Sequence, residues 1–278
     1  MKAPRFDYLR ATTIEEATAS LAADGHTALA IAGGQSLLPM LNLRTTFPDL
    51  LVDLGRLDEL KATAETADTV RIGALTTHAA IEDGKIPDPF GGLLRKVAAK
   101  ISHRAIRNYG TIGGSVALAD PAADWPGCLM ALGAVLRISG RAGRTRSQPI
   151  ADVLKGQYAT SLAPDEIIIG FDVPKPKAPL RWGVFKVTRK SGAFADSITF
   201  IVTHGRGGAA SVVLAAATDR PVLLEKTSDC IGSGKASEES LRSAIAGDLS
   251  AHLPQADAYA VRLHTSTTLR AAQQMRNQ

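Results

Sequence analysis

Two short segments carry residues suited to holding an anion: Ala32-Gly-Gly-Gln-Ser36 and Thr111-Ile-Gly-Gly-Ser115. In each, adjacent glycines adjoin an apolar stretch and precede a small hydroxyl residue. Adjacent glycines can adopt positive φ, which lets several backbone N–H groups converge on one point. Such a concavity binds phosphate oxygens, and two of them could hold the two phosphates of a dinucleotide from opposite sides. The hydroxyls of Ser36, Thr111 and Ser115 can donate to the same oxygens. Taken singly, each Gly-Gly pair also reads as an ordinary turn, as Gly91-Gly92 and Gly207-Gly208 do.

Two other glycine-rich stretches fail on context. Gly205-Arg-Gly-Gly-Ala-Ala210 fits G-x-G-x-x-A, yet it leads into the β-like run Ser211–Ala217 rather than a helix, so it reads as a hairpin. Gly232-Ser-Gly-Lys235 lacks the upstream glycine and the following Ser or Thr of a P-loop. His26 and His103 have no partner at metal-ligand spacing, so no metal site is expected. His78 sits at a helix start and reads as structural.

The elements that must position the two segments follow from periodicity and punctuation. Thr13-Ile-Glu-Glu16 is a capping box that opens a helix over about 13–24, stopped by Gly25. Strands are expected at 28–31 and 50–54, giving a β–α–β unit that closes near residue 55. A strand over 68–74 leads to Thr76-Thr77, an N-cap for a short helix through Ile81. An amphipathic helix follows at 93–101, then a helix behind the second glycine segment at 121–132. Strands are expected at 134–138 and 166–173. Lys175-Pro-Lys-Ala-Pro179 has linker composition. Beyond it, runs at 184–187, 198–203, 211–217 and 222–224 suggest an antiparallel meander, followed by helices at 237–246 and 258–275.

Composition narrows the classes. The chain has 278 residues, 45% hydrophobic and 21% charged, with a net charge of +5. That length supports two compact domains or one large one, and the balance is that of an ordinary soluble protein. No apolar run approaches the roughly 20 residues of a membrane span, and the charged opening segment lacks the apolar stretch of a signal peptide. A cytoplasmic location is therefore expected. The basic excess invites nucleic acid, but aromatics are only 5% and no basic stripe alternates with them. A solvated surface, or a patch for phosphate or for an acidic partner, is the simpler reading. Two cysteines, Cys128 and Cys230, are too few for an iron–sulfur cluster, which takes about four thiolates. Redox chemistry here would need an organic cofactor.

The wider surroundings of the two glycine segments carry a resemblance. Ala32-Gly-Gly-Gln-Ser-Leu-Leu-Pro-Met-Leu-Asn-Leu-Arg44 and Gly110-Thr-Ile-Gly-Gly-Ser-Val-Ala-Leu-Ala-Asp-Pro-Ala-Ala-Asp-Trp-Pro126 resemble the two FAD-binding signatures of one family. That family is the flavoprotein (medium) subunit of molybdenum hydroxylases, the group of carbon monoxide dehydrogenase, xanthine dehydrogenase and bacterial N-heterocycle dehydrogenases. Pro4–Tyr8, Gly73–His78 and Phe185–Ala195 are similar to it as well, so the likeness runs the length of the chain.

The resemblance implies an α+β protein. A two-part FAD-binding domain of the PCMH (vanillyl-alcohol-oxidase-like) type would span 1–176, with subdomains 1–55 and 56–176. A smaller α+β C-terminal domain of the carbon monoxide dehydrogenase flavoprotein type, with an antiparallel sheet, would span 177–278. It implies further that Ala32, Gly33, Gly34, Gln35 and Ser36, with Thr111, Ile112, Gly113, Gly114 and Ser115, cradle the pyrophosphate and adjoining ribityl or ribose groups. Asp124 would accept from a cofactor hydroxyl, and Ile168 would pack near the flavin. Lys186 would stand at the pyrimidine side, and Phe194 would lie against the ring. Ser115 departs from the family, where Asn is frequent, and reaches less far. Asp120 and Asp124 read equally as helix N-cap or first-turn acids, Lys186 with Arg189 and Lys190 as a solvated basic face, and Phe194 as a core residue.

Two functions of different class are expected from this pattern. In the first, the chain passes electrons through FAD, from [2Fe-2S] clusters on a small subunit to an external acceptor. The molybdopterin cofactor would sit on a large subunit, in a dimer of heterotrimers. In the second, it is a self-contained FAD-dependent oxidase or reductase, which needs a base over the flavin; no such constellation is evident beyond residue 177. A nucleotide-binding regulatory module is a third reading, told apart by whether bound flavin is redox-active.

Overall fold

The structure, a computed structural model, describes residues 2–23, 25–204 and 208–277. The first layer is a β–α–β–α–β unit: β1 (Asp7–Arg10), α1 (Ile14–Leu21), β2 (Ala28–Ile31), α2 (Leu37–Leu43) and β3 (Leu50–Asp53). Its strands form a parallel sheet in the order β1-β3-β2, with Leu50 opposite both Asp7 and Ala28. Thr13 caps α1 by accepting from the Glu16 N–H at 3.0 Å. The Glu16 carboxylate reaches back to the N–H and hydroxyl of Thr12, one residue earlier than a standard capping box uses. Ala17, Leu21, Val52 and Leu54 form the buried core between α1 and the sheet.

A second unit follows with β4 (Thr63–Glu65), β5 (Thr69–Gly73), α3 (His78–Glu82), α4 (Leu93–Ala98), α5 (Arg104–Arg107), α6 (Ile112–Leu118) and α7 (Asp124–Ala131). It continues through β6 (Val135–Ser139), β7 (Thr145–Pro149), α8 (Ile150–Val153), β8 (Leu154–Gly156), β9 (Ala159–Thr160) and β10 (Ile167–Pro174). Five of these strands build an antiparallel sheet in the order β4-β5-β10-β6-β7. Val70 and Ile72 on β5, Leu136 and Ile138 on β6, and Phe171 and Val173 on β10 alternate inward, as a half-buried strand requires. Thr77 caps α3 through a 3.1 Å bond from the Ala80 N–H, as the sequence suggests.

The last unit comprises β11 (Leu180–Val187), β12 (Ser197–His204), β13 (Ala210–Ala215), β14 (Val222–Leu223), α9 (Glu225–Gly232), α10 (Glu238–His252) and α11 (Ala258–Arg276). The four strands pair antiparallel in chain order, the expected meander. Gly205, Arg206 and Gly207 of the expected hairpin turn lie outside the described residues. One face of this sheet carries Ile201, Val212 and Leu214 against α10 and α11. The other carries Ile198, Phe200, Val202 and Val213 into the core of the preceding unit, beside Trp125 and Cys128. The third sheet is therefore packed directly onto α7, and β11 is held at a fixed place relative to the second glycine segment.

Candidate dinucleotide-binding cleft

The first segment turns off the end of β2. Gly34 has φ +70, a left-handed conformation that favours glycine. Among the described residues, the backbone N–H groups of Gly33, Gly34, Gln35 and Ser36 donate to no protein acceptor, so four consecutive donors are available in one loop. The Gln35 side chain braces that loop by donating to the Gly33 carbonyl at 2.9 Å. Gly33 serves a different need: a Cβ there would stand 2.0 Å from the Tyr109 carbonyl oxygen. That bare position lets the first segment approach the Tyr109–Gly110 backbone that leads into the second.

The second segment is not the positive-φ loop expected from its Gly-Gly pair. Gly113 and Gly114 are the second and third residues of α6, and neither has positive φ. Thr111 is the N-cap, accepting from the Gly114 N–H at 3.1 Å while keeping its own hydroxyl hydrogen to donate. The glycines are needed for approach. A Cβ on Gly113 would lie 2.6 Å from the Ala74 carbonyl oxygen, and one on Gly114 would lie 2.9 Å from the Thr111 hydroxyl and 3.7 Å from Ala32. A capped helix start facing a loop of free amides is an anion-binding arrangement by a different route.

Both segments open on one cleft of about 870 Å³, at the upper end of the range for small-molecule sites. It gathers residues 32–36, Thr111, Gly113, Gly114, Ser115, Asp124, Ile168, Lys186 and Phe194. Ile112 is the exception. Its side chain is fully buried in the core, and its N–H bonds to the Thr76 carbonyl at 3.0 Å.

Asp124 and Lys186 form an ion pair at 2.8 Å, with side chains 5% and 7% exposed. Burial pushes the Asp124 carboxyl up from its ordinary range, and the Lys186 ammonium opposes that shift. Lys186 is thus not part of a solvated face. Asp124 stands in the first turn of α7, whose N-cap is Ala123. Asp120 caps no helix; it accepts from the Ala122 N–H at 2.8 Å and from the Tyr158 hydroxyl at 3.2 Å. Phe194 is 60% exposed at the cleft, which excludes a core role.

Sequence reasoning did not single out several other residues of the wall. Tyr158 holds a left-handed backbone at φ 54, a strain that side-chain identity does not announce. Glu166 is clamped by Arg146 at 2.7 Å, which holds its carboxyl below the usual range. Ile101 adds apolar surface. A cleft lined by free amides, hydroxyls, a buried cation and apolar side chains suits a dinucleotide with a flat ring system. Among the described residues no group of three or more His, Cys, Asp or Glu could hold a metal ion, and no helix is long and apolar enough to cross a membrane.

Comparison with known proteins agrees with this geometry. Residues 4–176 match the family described as the FAD binding domain in molybdopterin dehydrogenase. The chain is 40% identical over 216 residues to the 6-hydroxypseudooxynicotine dehydrogenase complex subunit alpha of Paenarthrobacter nicotinovorans, covering 77% of this chain and 68% of that one. It is 34% identical over 216 residues to the carbon monoxide dehydrogenase medium chain of Hydrogenophaga pseudoflava, covering 78% and 75%. Among solved structures, carbon monoxide dehydrogenase from Hydrogenophaga pseudoflava superposes with TM-score 0.92 at 30% identity, over 100% of this chain and 99% of that one. Quinoline 2-oxidoreductase from Pseudomonas putida 86 does so with TM-score 0.88 at 32% identity and the same coverage. The chain belongs to this family: it is an oxidoreductase subunit that carries the FAD-binding domain of the molybdopterin dehydrogenases.

Proposed function

We propose that this chain holds FAD non-covalently in the cleft and works as the medium subunit of a molybdenum hydroxylase. It would relay electrons from [2Fe-2S] clusters on a small subunit, themselves fed by a molybdopterin centre on a large subunit, to an external acceptor. The observation that carries the reading is one cleft lined by residues 32–36, by Thr111 and Gly113–Ser115, and by the buried Asp124–Lys186 pair, with Gly33 set against the Tyr109–Gly110 backbone that leads into the second segment. The amides of Gly33 to Ser36 and the start of α6 face the pyrophosphate. Asp124, held by Lys186, orients a ribityl or ribose hydroxyl, and Ile168 and Phe194 flank the ring system. When bound, FAD supplies exchange between two-electron and one-electron chemistry. A dimer of heterotrimers in the cytoplasm is the assembly we assign, a compartment that suits two unpaired cysteines. The division into 1–176 and 177–278 is supported by the family match, which ends at residue 176.

The test begins with the complex purified through this chain, which is denatured so that the released cofactor can be identified. FAD is expected; FMN, a covalent flavin or no flavin would overturn the reading. Gly34→Val and Gly114→Val should each empty the complex of flavin, the first through its positive φ and the second by crowding Thr111. Gly208→Val, in the third unit, should spare it. The chain alone should exchange electrons with artificial acceptors yet show no reduction by N-heterocycles, aldehydes or carbon monoxide. Turnover of such a substrate by the isolated chain at the rate of the complex would sink the electron-relay assignment.

A further inference from the structure

We propose that His78 presents a neutral Nε2–H to the cleft and hydrogen-bonds an oxygen of the bound dinucleotide, with Trp125 as the residue that fixes the imidazole tautomer. The proposal rests on the FAD reading above and assigns a binding contact outside the two glycine segments and the Asp124–Lys186 pair.

The geometry starts with the ring of His78. His78 opens α3, is 5% exposed, and lines the cleft with Gly110 and Thr111. The Trp125 indole N–H donates to His78 Nδ1 at 3.0 Å. An indole nitrogen only donates, so Nδ1 must be the accepting nitrogen and the neutral ring must carry its proton on Nε2. Among the described residues no protein group accepts from Nε2. Thr76 Oγ1 is the one fully buried polar side-chain atom without a partner there, so His78 Nε2 is not sealed inside the protein. A Cβ on Gly110 would stand 2.9 Å from both Nε2 and Cδ2. The donor edge of the imidazole therefore lies against the backbone that enters the second glycine segment.

The surroundings keep the ring neutral. Burial, with the Arg107 cation as a second cause, brings its pKa down to about 4. Arg107 is fixed by two bonds to the Glu82 carboxylate, at 2.8 and 3.0 Å, and by donation to the carbonyls of Ile101 and Ser102. Glu82 is the residue one turn after His78 on α3, so one helix aims its first side chain at the cleft and its last at Arg107. Protonation at Nδ1 would turn an N–H toward the Trp125 N–H. A preorganised neutral donor without a protein acceptor is a hydrogen bond offered to a ligand. FAD supplies acceptor oxygens along its pyrophosphate and ribityl chain.

The experiment uses the assembled complex, stripped of flavin and titrated with FAD by quenching of flavin fluorescence. His78→Leu removes the donor and should weaken FAD binding about fivefold to tenfold, the range of one hydrogen bond. His78→Gln restores an N–H near the Nε2 position and should stay within about twofold of the unaltered complex, a rescue that mere packing does not give. Trp125→Phe frees the tautomer and should weaken binding by about threefold. Unchanged affinity in His78→Leu, or an equal loss in Leu and Gln variants, would overturn the proposal. If the Leu variant does not assemble, the structure of the unaltered FAD-loaded complex decides. A flavin oxygen within about 3.2 Å of Nε2 supports it, and Nε2 donating to water or a protein carbonyl instead refutes it. No FAD in the unaltered complex would count against the FAD reading; tight FAD binding by His78→Leu would count against the His78 contact alone.

Discussion

The Asp124 carboxylate and the Lys186 ammonium meet at 2.8 Å between the first turn of α7 and the strand β11, with almost no solvent on either side chain. The pair joins the second unit of the fold to the third at the wall of the cleft. A buried pair broken on one side leaves an uncompensated charge, which costs about 3–5 kcal/mol. Lys186→Met should therefore lower unfolding stability by about that much in urea. The double variant Asp124→Asn, Lys186→Met should recover most of the loss. Equal stability of the single and double variants would show that the two charges are not coupled.

Stability should fall on mild acidification. The pKa of His78 is depressed by burial from 6.5 to about 4, so between those values the unfolded chain binds the proton and the folded chain does not. Stability contributed by the neutral ring is fully present above pH 6.5 and is lost as the pH falls toward 4. The depression corresponds to about 3 kcal/mol at most. Buried His264 shifts in the same direction and adds to the slope. His78→Gln should flatten part of the fall in unfolding free energy over that window; an unchanged slope would mean that His78 is not buried neutral.

The two cysteines should differ in reactivity. Cys128 is fully buried between α7 and the third sheet, and burial raises its thiol pKa well above the ordinary value. Cys230 is half-buried on α9. The thiolate is the reactive form, so iodoacetamide should label Cys230 in the native chain and Cys128 only after unfolding. Labelling of both at similar rates, followed by peptide mass spectrometry, would contradict the packing of α7.

Gly33→Ala should separate the two glycine segments. Its Cβ would enter to 2.0 Å from the Tyr109 carbonyl oxygen, a backbone atom that no rotamer change can move. Overpacking of this kind costs about 1–3 kcal/mol, and flavin content should drop below about half at working concentrations. Gly133→Ala meets no atom within 4 Å, although its φ is +66. It should lose a little stability and keep its flavin, so equal flavin loss in both variants would point to general damage rather than to the cleft.

Much of this molecule is legible in the chain itself. Thr13, Thr77 and the alternating runs of the third sheet announce their elements because capping and strand periodicity are local and act within a few residues. The short α2, interrupted in composition by Pro39, is not legible that way. Residues 32–36 and 111–115 stand out because bare backbone and small hydroxyls have few other uses side by side. Only the tertiary structure decided how each is used. Gly34 turns a loop, whereas Gly113 and Gly114 open a helix, since conformation at a glycine is set by what packs around it and not by its own side chain. The burial of Ile112 away from the cleft, the pairing of Asp124 with Lys186 across 62 residues, and the bond from Trp125 to His78 across 47 depend on which elements meet. Such contacts come from long-range packing, of α6 against the Ala74–Thr76 backbone and of α7 against the third sheet and the ring of His78, and sequence spacing carries no trace of them.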